Sequence, residues 1–251
     1  RFLLILWNCY KFFLDYAILA NWDCKQYGED LTVLDRWILA ELTKLVLDAN
    51  RSLEKYDASS ASRAIEDFVV VNFSTWYIRR SRDRVGPDAD EKDKDVSLSV
   101  MYGVLVTLIK LLAPFTPFIA EEIFRNLTGE ESVHLQDYPL GDKTLLDEKL
   151  MFDMCVARKI VELGHAKRKE ANIKLRQPLS KLTYFTYLGK PGAELGPDLE
   201  QIIAAELNVK KIEYKTSPVD QLAVELDTKI TQQLQREGKA RDLIRQIQQL
   251  R

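Results

Sequence analysis

Residues 57–84 read DASSASRAIEDFVVVNFSTWYIRRSRDR. Asp57 has the side chain of a helix N-cap, since its carboxylate can accept the unpaired N–H groups of a first turn. Ala61, Ile65, Phe68, Asn72 and Trp76 then recur every three or four residues, which predicts one stripe of a helix. Gly86–Pro87 stops it. The stripe begins apolar and ends cationic. Residues four apart share a helix face, so Trp76, Arg80 and Arg84 line up. Arg79 lies near Asp83, whereas Arg80, Arg82 and Arg84 are less plainly paired. Two readings fit this end. It is the wet terminus of a structural helix, where the dipole favours arginine, or a meeting point with a polyanion. In the second case the guanidinium fork donates two parallel bonds to phosphate, and Trp76 or Tyr77 offers a stacking plane. Asp67 and Asn72 either order the arginines or make interhelical hydrogen bonds.

The neighbouring segments carry the same period. Leu3, Leu6, Tyr10, Phe13 and Ala17 predict a first helix, followed by a break at 28–30. Thr32 caps a second, with Asp35 three residues on as in a capping box. That helix places Leu34, Ile38, Leu42, Leu45 and Ala49 on one side. DADEKDKD (88–95) reads as a solvated connection before an apolar helix near Ser99 to Leu112. Pro114 and Pro117 break it ahead of FIAEEIFRNL. Helices with such stripes and short links bury them in a bundle.

The character changes near residue 140. Residues 144–171 form another helical pattern. LTYFTYL, KKIEY and LAVEL read as short strands, with EQIIAAELN a helix between them. From Lys229 the chain is helical again, with Leu243, Ile247 and Leu250 expected in a core. The fold class is mainly α: a helical bundle followed by a small α/β C-terminal subdomain. The expected organisation is a bundle over 1–140, a basic connecting helix and linker over 141–177, and the α/β part over 178–251.

The chain has 251 residues, 46% of them hydrophobic, and a net charge of −2. Global charge therefore does not point to nucleic acid, and any basic surface is local. Residues 158–176, RKIVELGHAKRKEANIKLR, hold seven Lys or Arg against two Glu, a local net of +5 with His165 neutral. Lys167, Arg168, Lys169, Lys174 and Arg176 could track a phosphate backbone, or they line a solvated helix exterior. A third basic run, REGKARDLIRQIQQLR, alternates with apolar residues. Cys9, Cys24 and Cys155 form no CxxC pair, so no metal site is expected. Scattered thiols suit a reducing compartment. The opening apolar stretch contains Arg1, Asn8, Lys11 and Asp15 and is a poor membrane span. Strands do not alternate with helices as in a parallel-sheet enzyme core. GxGxxG, GxxxxGK[ST] and HExxH are all absent, and neither histidine sits in a nucleophile motif. No catalytic residue is assigned. Both chain ends read as though cut from a longer protein.

Several stretches resemble one family. RFLLILWNCYKFFLDYA resembles the segment that leaves the catalytic core of class I aminoacyl-tRNA synthetases, and LTVLDRWILAEL is similar to their next helix. LLAPFTPFIAEEIFRNL and SVHLQDYP resemble the end of the anticodon-binding bundle of the isoleucyl, valyl and leucyl enzymes. NFSTWYIRRSRDR, IKLRQPLSKL and REGKARDLIRQIQQLR favour the isoleucyl-tRNA synthetases, and the ordered series covers essentially the whole chain. The resemblance implies a cytoplasmic parent, usually monomeric, that activates isoleucine with ATP and Mg²⁺ and charges tRNA(Ile). The family's HIGH-like and KMSKS-like motifs, its editing domain and its cysteine-rich zinc module have no match here. The expectation is an anticodon stem-loop-binding part, not catalytic by itself, with no cofactor of its own. Its tRNA contacts would be Trp76, Arg79, Arg80, Arg82, Arg84, Lys167, Arg168, Lys169, Lys174 and Arg176, with Arg80 and Arg84 foremost by register. The alternatives are the same region of another class I synthetase, such as the valyl enzyme, or a helical protein-docking scaffold.

Overall fold

The computed structural model describes residues 1–23, 30–187, 194–217 and 221–249. Its contacts group into two units, Arg1–Asp147 and Glu148–Arg251.

The first unit is helical. α1 (Phe2–Leu19) turns Leu6, Cys9, Tyr10, Phe13 and Ala17 inward, while Leu3 stays exposed. The break predicted at 28–30 falls largely outside the described residues. α2 (Val33–Glu54) opens on the expected capping box. Thr32 Oγ1 accepts from the Asp35 N–H at 3.3 Å, and the Asp35 carboxylate accepts from the Thr32 N–H at 3.0 Å. Leu34, Ile38, Leu42, Leu45 and Ala49 are all buried. α3 (Ala58–Asp67) is capped by Asp57, which accepts from the Ser60 N–H. It runs without a break into a π-helical segment, Phe68–Ile78, and then into the single turn α4 (Arg79–Ser81).

α5 (Glu91–Leu112) begins earlier than its apolar period suggests. Asp90 accepts from the N–H groups of Lys92 and Asp93 at 3.0 and 3.1 Å. Glu91 and Asp93 occupy the first turn, where the helix dipole favours anions. The acidic stretch read as a connection is therefore partly the start of a helix. Pro117 opens α6 (Pro117–Thr128), and Gly129 at φ 72° closes it in the left-handed region that glycine adopts freely. α1 and α5 are both long and apolar enough to cross a membrane by length and composition. In α5 most of that length is buried inside the bundle, as befits a core helix.

The second unit begins with α7 (Glu148–Glu170). β1 (Leu179–Tyr187), α8 (Pro197–Leu207), β2 (Val209–Ser217), β3 (Ala223–Leu226) and α9 (Gln232–Gln249) follow. The sheet order is β2-β1-β3. β1 and β2 pair in parallel, joined through α8, and β3 runs antiparallel on the other side of β1. Leu182 and Tyr184 pair with Ile212 and Tyr214 on one flank and with Leu226 and Val224 on the other. α7 packs on α8 and β3. A Cβ at Gly164 of α7 would stand 2.4 Å from Leu207 Cδ1, so the two helices meet where a glycine leaves room. α9 buries Leu234. Leu243 and Ile247, expected in the core, are exposed instead. α9 docks through Gln177, which donates to Leu234 O, and through Gly238 beside it. Leu250 lies outside the described residues. The architecture is mainly helical, with a small mixed sheet.

Candidate nucleic-acid interface

The π-helical segment decides which way the arginines point. A π-helix bonds i to i+5, so its turn is wider than an α-turn and the register slips. Thr75 Oγ1 donates to Val70 O at 2.7 Å, a five-residue reach. Phe68, Phe73 and Tyr77 stack as a ladder, with centroids 6.4 and 6.0 Å apart and planes within 13° and 11°. Their spacing is five residues, then four. Of the predicted α-stripe, Ala61, Ile65, Phe68 and Trp76 are buried, while Asn72 is not. Asn72 leaves the core and donates to Glu41 Oε2 on α2 at 3.2 Å. This is the interhelical option for that residue. Glu41 also accepts from Trp37 Nε1 at 3.1 Å. Beside this pair lies a groove of about 450 Å³, lined by Glu41, Lys44, Asp48, Asp67, Val71 and Asn72 among others.

Trp76 is packed inward, only 9% exposed, with the Arg79 guanidinium 5.7 Å from its ring centroid. Of the two roles open to it, stacking on a base or fixing the helix, the inward packing fits the second. Arg84 is the larger correction. Its guanidinium reaches Asp35 Oδ1 and Oδ2 at 2.8 Å each, and its Nε and second terminal nitrogen reach Asp93 at 3.0 and 2.7 Å. Asp35 is 0% exposed and also accepts the Tyr77 hydroxyl at 2.6 Å. Arg84 thus ties α2, the π segment and α5 together, and its donors are committed there rather than to phosphate. The four-residue spacing had aligned it with Arg80. The widened turn, the buried Asp35 carboxylate and the partly exposed Asp93 carboxylate turn it inward.

The electrostatics agree with that geometry. Burial opposes the charge on Asp35, but the hydrogen bonds and charge of Arg84, helped by Thr32 and Tyr77, outweigh it and hold the carboxyl below the usual carboxylate range. Burial and the Asp35 charge push the Tyr77 hydroxyl well above its ordinary value. Burial also works against Arg84, yet Asp35 and Asp93 keep it firmly charged.

The remaining arginines of the stretch lie at the surface. Arg79 is exposed, with Nε donating to Thr75 O at 2.8 Å. Arg80 is half-buried. Arg82 is exposed, its guanidinium 6.0 Å from the Phe12 ring of α1.

In the second unit Arg168 departs from expectation. It is 2% exposed, and it donates to four backbone carbonyls: Leu207 at 2.9 Å, Lys174 and Gln177 at 3.0 Å, and Asn208 at 3.1 Å. It is a keystone between the end of α8 and the 172–178 loop, not a phosphate contact. Burial lowers its proton affinity from the ordinary arginine value. Lys167, Lys169 and Lys174 are exposed, Lys167 with Glu170 at 2.9 Å. Arg176 is half-buried and reaches Asp242 of α9 at 3.4 Å. Arg241 donates to Asn208 Oδ1. The second and third basic runs, far apart in sequence, therefore meet in this unit.

Glu121 accepts from Ser132 Oγ and the Val133 N–H at 2.9 and 3.0 Å, which gives it a structural use. Among the described residues no three His, Cys, Asp or Glu side chains converge as metal ligands. Burial pushes the Cys9 thiol up to about 11, Cys155 is exposed, and Cys24 lies outside the described residues.

The family model for the anticodon-binding domain of tRNA ligase matches residues 35–183, from the buried carboxylate of α2 into β1. The chain belongs to this family. It is similar to the isoleucine–tRNA ligase of Dehalococcoides mccartyi strain CBDB1, 39% identical over 272 residues, covering 100% of this chain and 26% of the relative. The isoleucine–tRNA ligase of Thermus thermophilus is 38% identical over 84% of this chain and 21% of its own. That of Methanocella arvoryzae is 40% identical over 71% of this chain and 17% of its own. The chain spans about a quarter of the length of the first of these relatives.

Of the anchors found here, Asp93 and Tyr77 gave no local signal in the sequence. Asp35 was legible as a capping residue, but not as the partner of Arg84.

Proposed function

We propose that this chain binds the anticodon stem and loop of an isoleucine tRNA, as the RNA-docking part of an isoleucine–tRNA ligase. The observation that carries this is the exposure of Arg79 and Arg82, with the half-buried Arg80 between them, on a stretch tied down by hydrogen bonds to Asp35, in a chain of the anticodon-binding family. These three, with Lys167, Lys169, Lys174 and Arg176 of the second unit, meet phosphates. Phosphate contacts set position, and contacts to splayed loop bases discriminate. Binding energy gained there helps to place a distant acceptor end. The ATP and Mg²⁺ used to activate isoleucine belong to a core carrying HIGH-like and KMSKS-like motifs, so no residue of this chain is assigned to them. The parent is a cytoplasmic enzyme, and a monomer.

The test is titration of the chain with isoleucine tRNA and with an anticodon-swapped copy, across a salt series. Replacing Arg79, Arg80 and Arg82 together by alanine should weaken binding and reduce the salt slope by about 2 to 3, since each phosphate contact contributes roughly 0.7 to 0.9. An unchanged slope would remove these arginines from the interface.

One observation favours a second reading. Leu3, Leu4, Trp7, Ile18 and Leu19 of α1 are exposed, which suits docking to protein. That reading expects salt-insensitive partner binding and no RNA affinity.

A further inference from the structure

One carboxylate holds both ends of the basic stretch. Tyr77 precedes the surface arginines and donates to Asp35 Oδ1 at 2.6 Å. Arg84 follows them and grips both Asp35 oxygens at 2.8 Å. Between these two tethers lie Arg79, Arg80 and Arg82. Asp35 is itself pinned by Thr32, whose N–H and hydroxyl donate to Oδ2 at 3.0 and 2.6 Å, and it is 0% exposed. Asp93 closes the far side of Arg84 and anchors it to the first turn of α5.

We infer that Asp35 is a positioning residue for RNA docking: it fixes where the chain enters and leaves the arginine-bearing turn, and so sets where Arg79, Arg80 and Arg82 stand. This rests on the reading of those arginines as phosphate contacts. The physical basis is preorganisation. Long arginine side chains lose rotamer freedom on binding, and a backbone already held in place leaves less to be ordered then. A supporting shell that locks the contact residues decides whether a site binds tightly or loosely. Asp35→Asn keeps the shape but puts an amide N–H against groups that now donate to both oxygens, so the two tethers no longer hold together.

The experiment is a double-mutant cycle on the 251-residue chain, read by isoleucine tRNA titration across a salt series. It is run below the melting midpoint of each variant, with helicity followed in parallel. The four proteins are the wild type, Asp35→Asn, the triple Arg79, Arg80, Arg82→Ala variant, and the combination. Asp35→Asn is expected to weaken binding roughly tenfold with helicity retained, and to add no further loss in the triple background. A merely structural role predicts the same fractional loss in both backgrounds, and that result overturns the proposal. So does an Asp35→Asn variant that binds as the wild type while the triple variant does not. If the wild type shows no affinity, or the triple variant binds as well as the wild type, the arginine reading itself fails and takes this proposal with it. Should Asp35→Asn not fold, Tyr77→Phe removes only the entry tether and is measured in the same cycle. A smaller loss confined to the arginine-containing background is expected, and no loss overturns the proposal.

Discussion

In each unit one arginine of a basic run is taken up by partners in the fold, and the two are satisfied in opposite ways. Arg84 spends its guanidinium on two carboxylates, Asp35 and Asp93. Arg168 spends its own on four backbone carbonyls, with no carboxylate among them. Both come from runs that read as RNA-contacting. The difference teaches that an arginine-rich stretch holds two kinds of residue, and that partners in the fold sort them. An ion pair in the core is also a commitment on both sides: removing one partner strands the other. Carbonyl dipoles make a milder host, because two of the four, those of Asn208 and Lys174, keep a second donor.

The contrast can be broken most directly by replacing each arginine with methionine. Arg84→Met leaves Asp35 charged and buried, and should destabilise the first unit by about 3 to 5 kcal/mol. Arg168→Met should destabilise the second unit by about 2 kcal/mol. Asn208 O keeps the Leu179 N–H at 3.0 Å, and Lys174 O keeps the Gln177 N–H at 3.0 Å. Denaturant unfolding with a probe in each unit reads both values. A larger loss for Arg168→Met would reverse the comparison.

Acid sharpens it. The Asp35 carboxyl sits below its ordinary value in the fold, while the unfolded carboxyl titrates near ~3.9. Its contribution is thus fully present above about pH 4 and is lost as the pH falls through the folded value. The penalty of Arg84→Met should accordingly shrink between pH 7 and about pH 3. The penalty of Arg168→Met should stay level, since none of its partners titrates there. Parallel unfolding series at the two pH values would show whether the two penalties diverge.

The smallest effect concerns the outer edge of the clamp. Thr32→Val removes a hydroxyl that donates to Asp35 Oδ2 and accepts from the Asp35 N–H. It should lower the melting free energy by about 1 kcal/mol. A loss as large as that of Arg84→Met would mean that the cap, not the ion pair, organises the network.

Much of the first unit was legible because its signals are local. Thr32 and Asp35 lie within one turn, as do Asp57 and Ser60, so the caps follow from the chain itself. The inward faces of α1 and α2 follow from their period. The short strands of the second unit stood out by composition, but their pairing as β2-β1-β3 did not, because pairing joins residues distant in sequence. The outward surface of Arg79 and Arg82 was correctly read. The surface placement of Arg84 and Arg168 was not, and the residues alone left Trp76 open between stacking and fixing the helix. Counting by fours assumes an α-helix, and Phe68–Ile78 is wound wider.

The sequence alone determined where most helices lie, which of their residues are apolar and where positive charge accumulates, since each depends on residues a few positions apart. Only the tertiary structure decided which of those charges face outward. That choice depends on whether Asp35, Asp93 or a set of carbonyls from another element stands within hydrogen-bonding reach, and such distances arise only once the elements have packed.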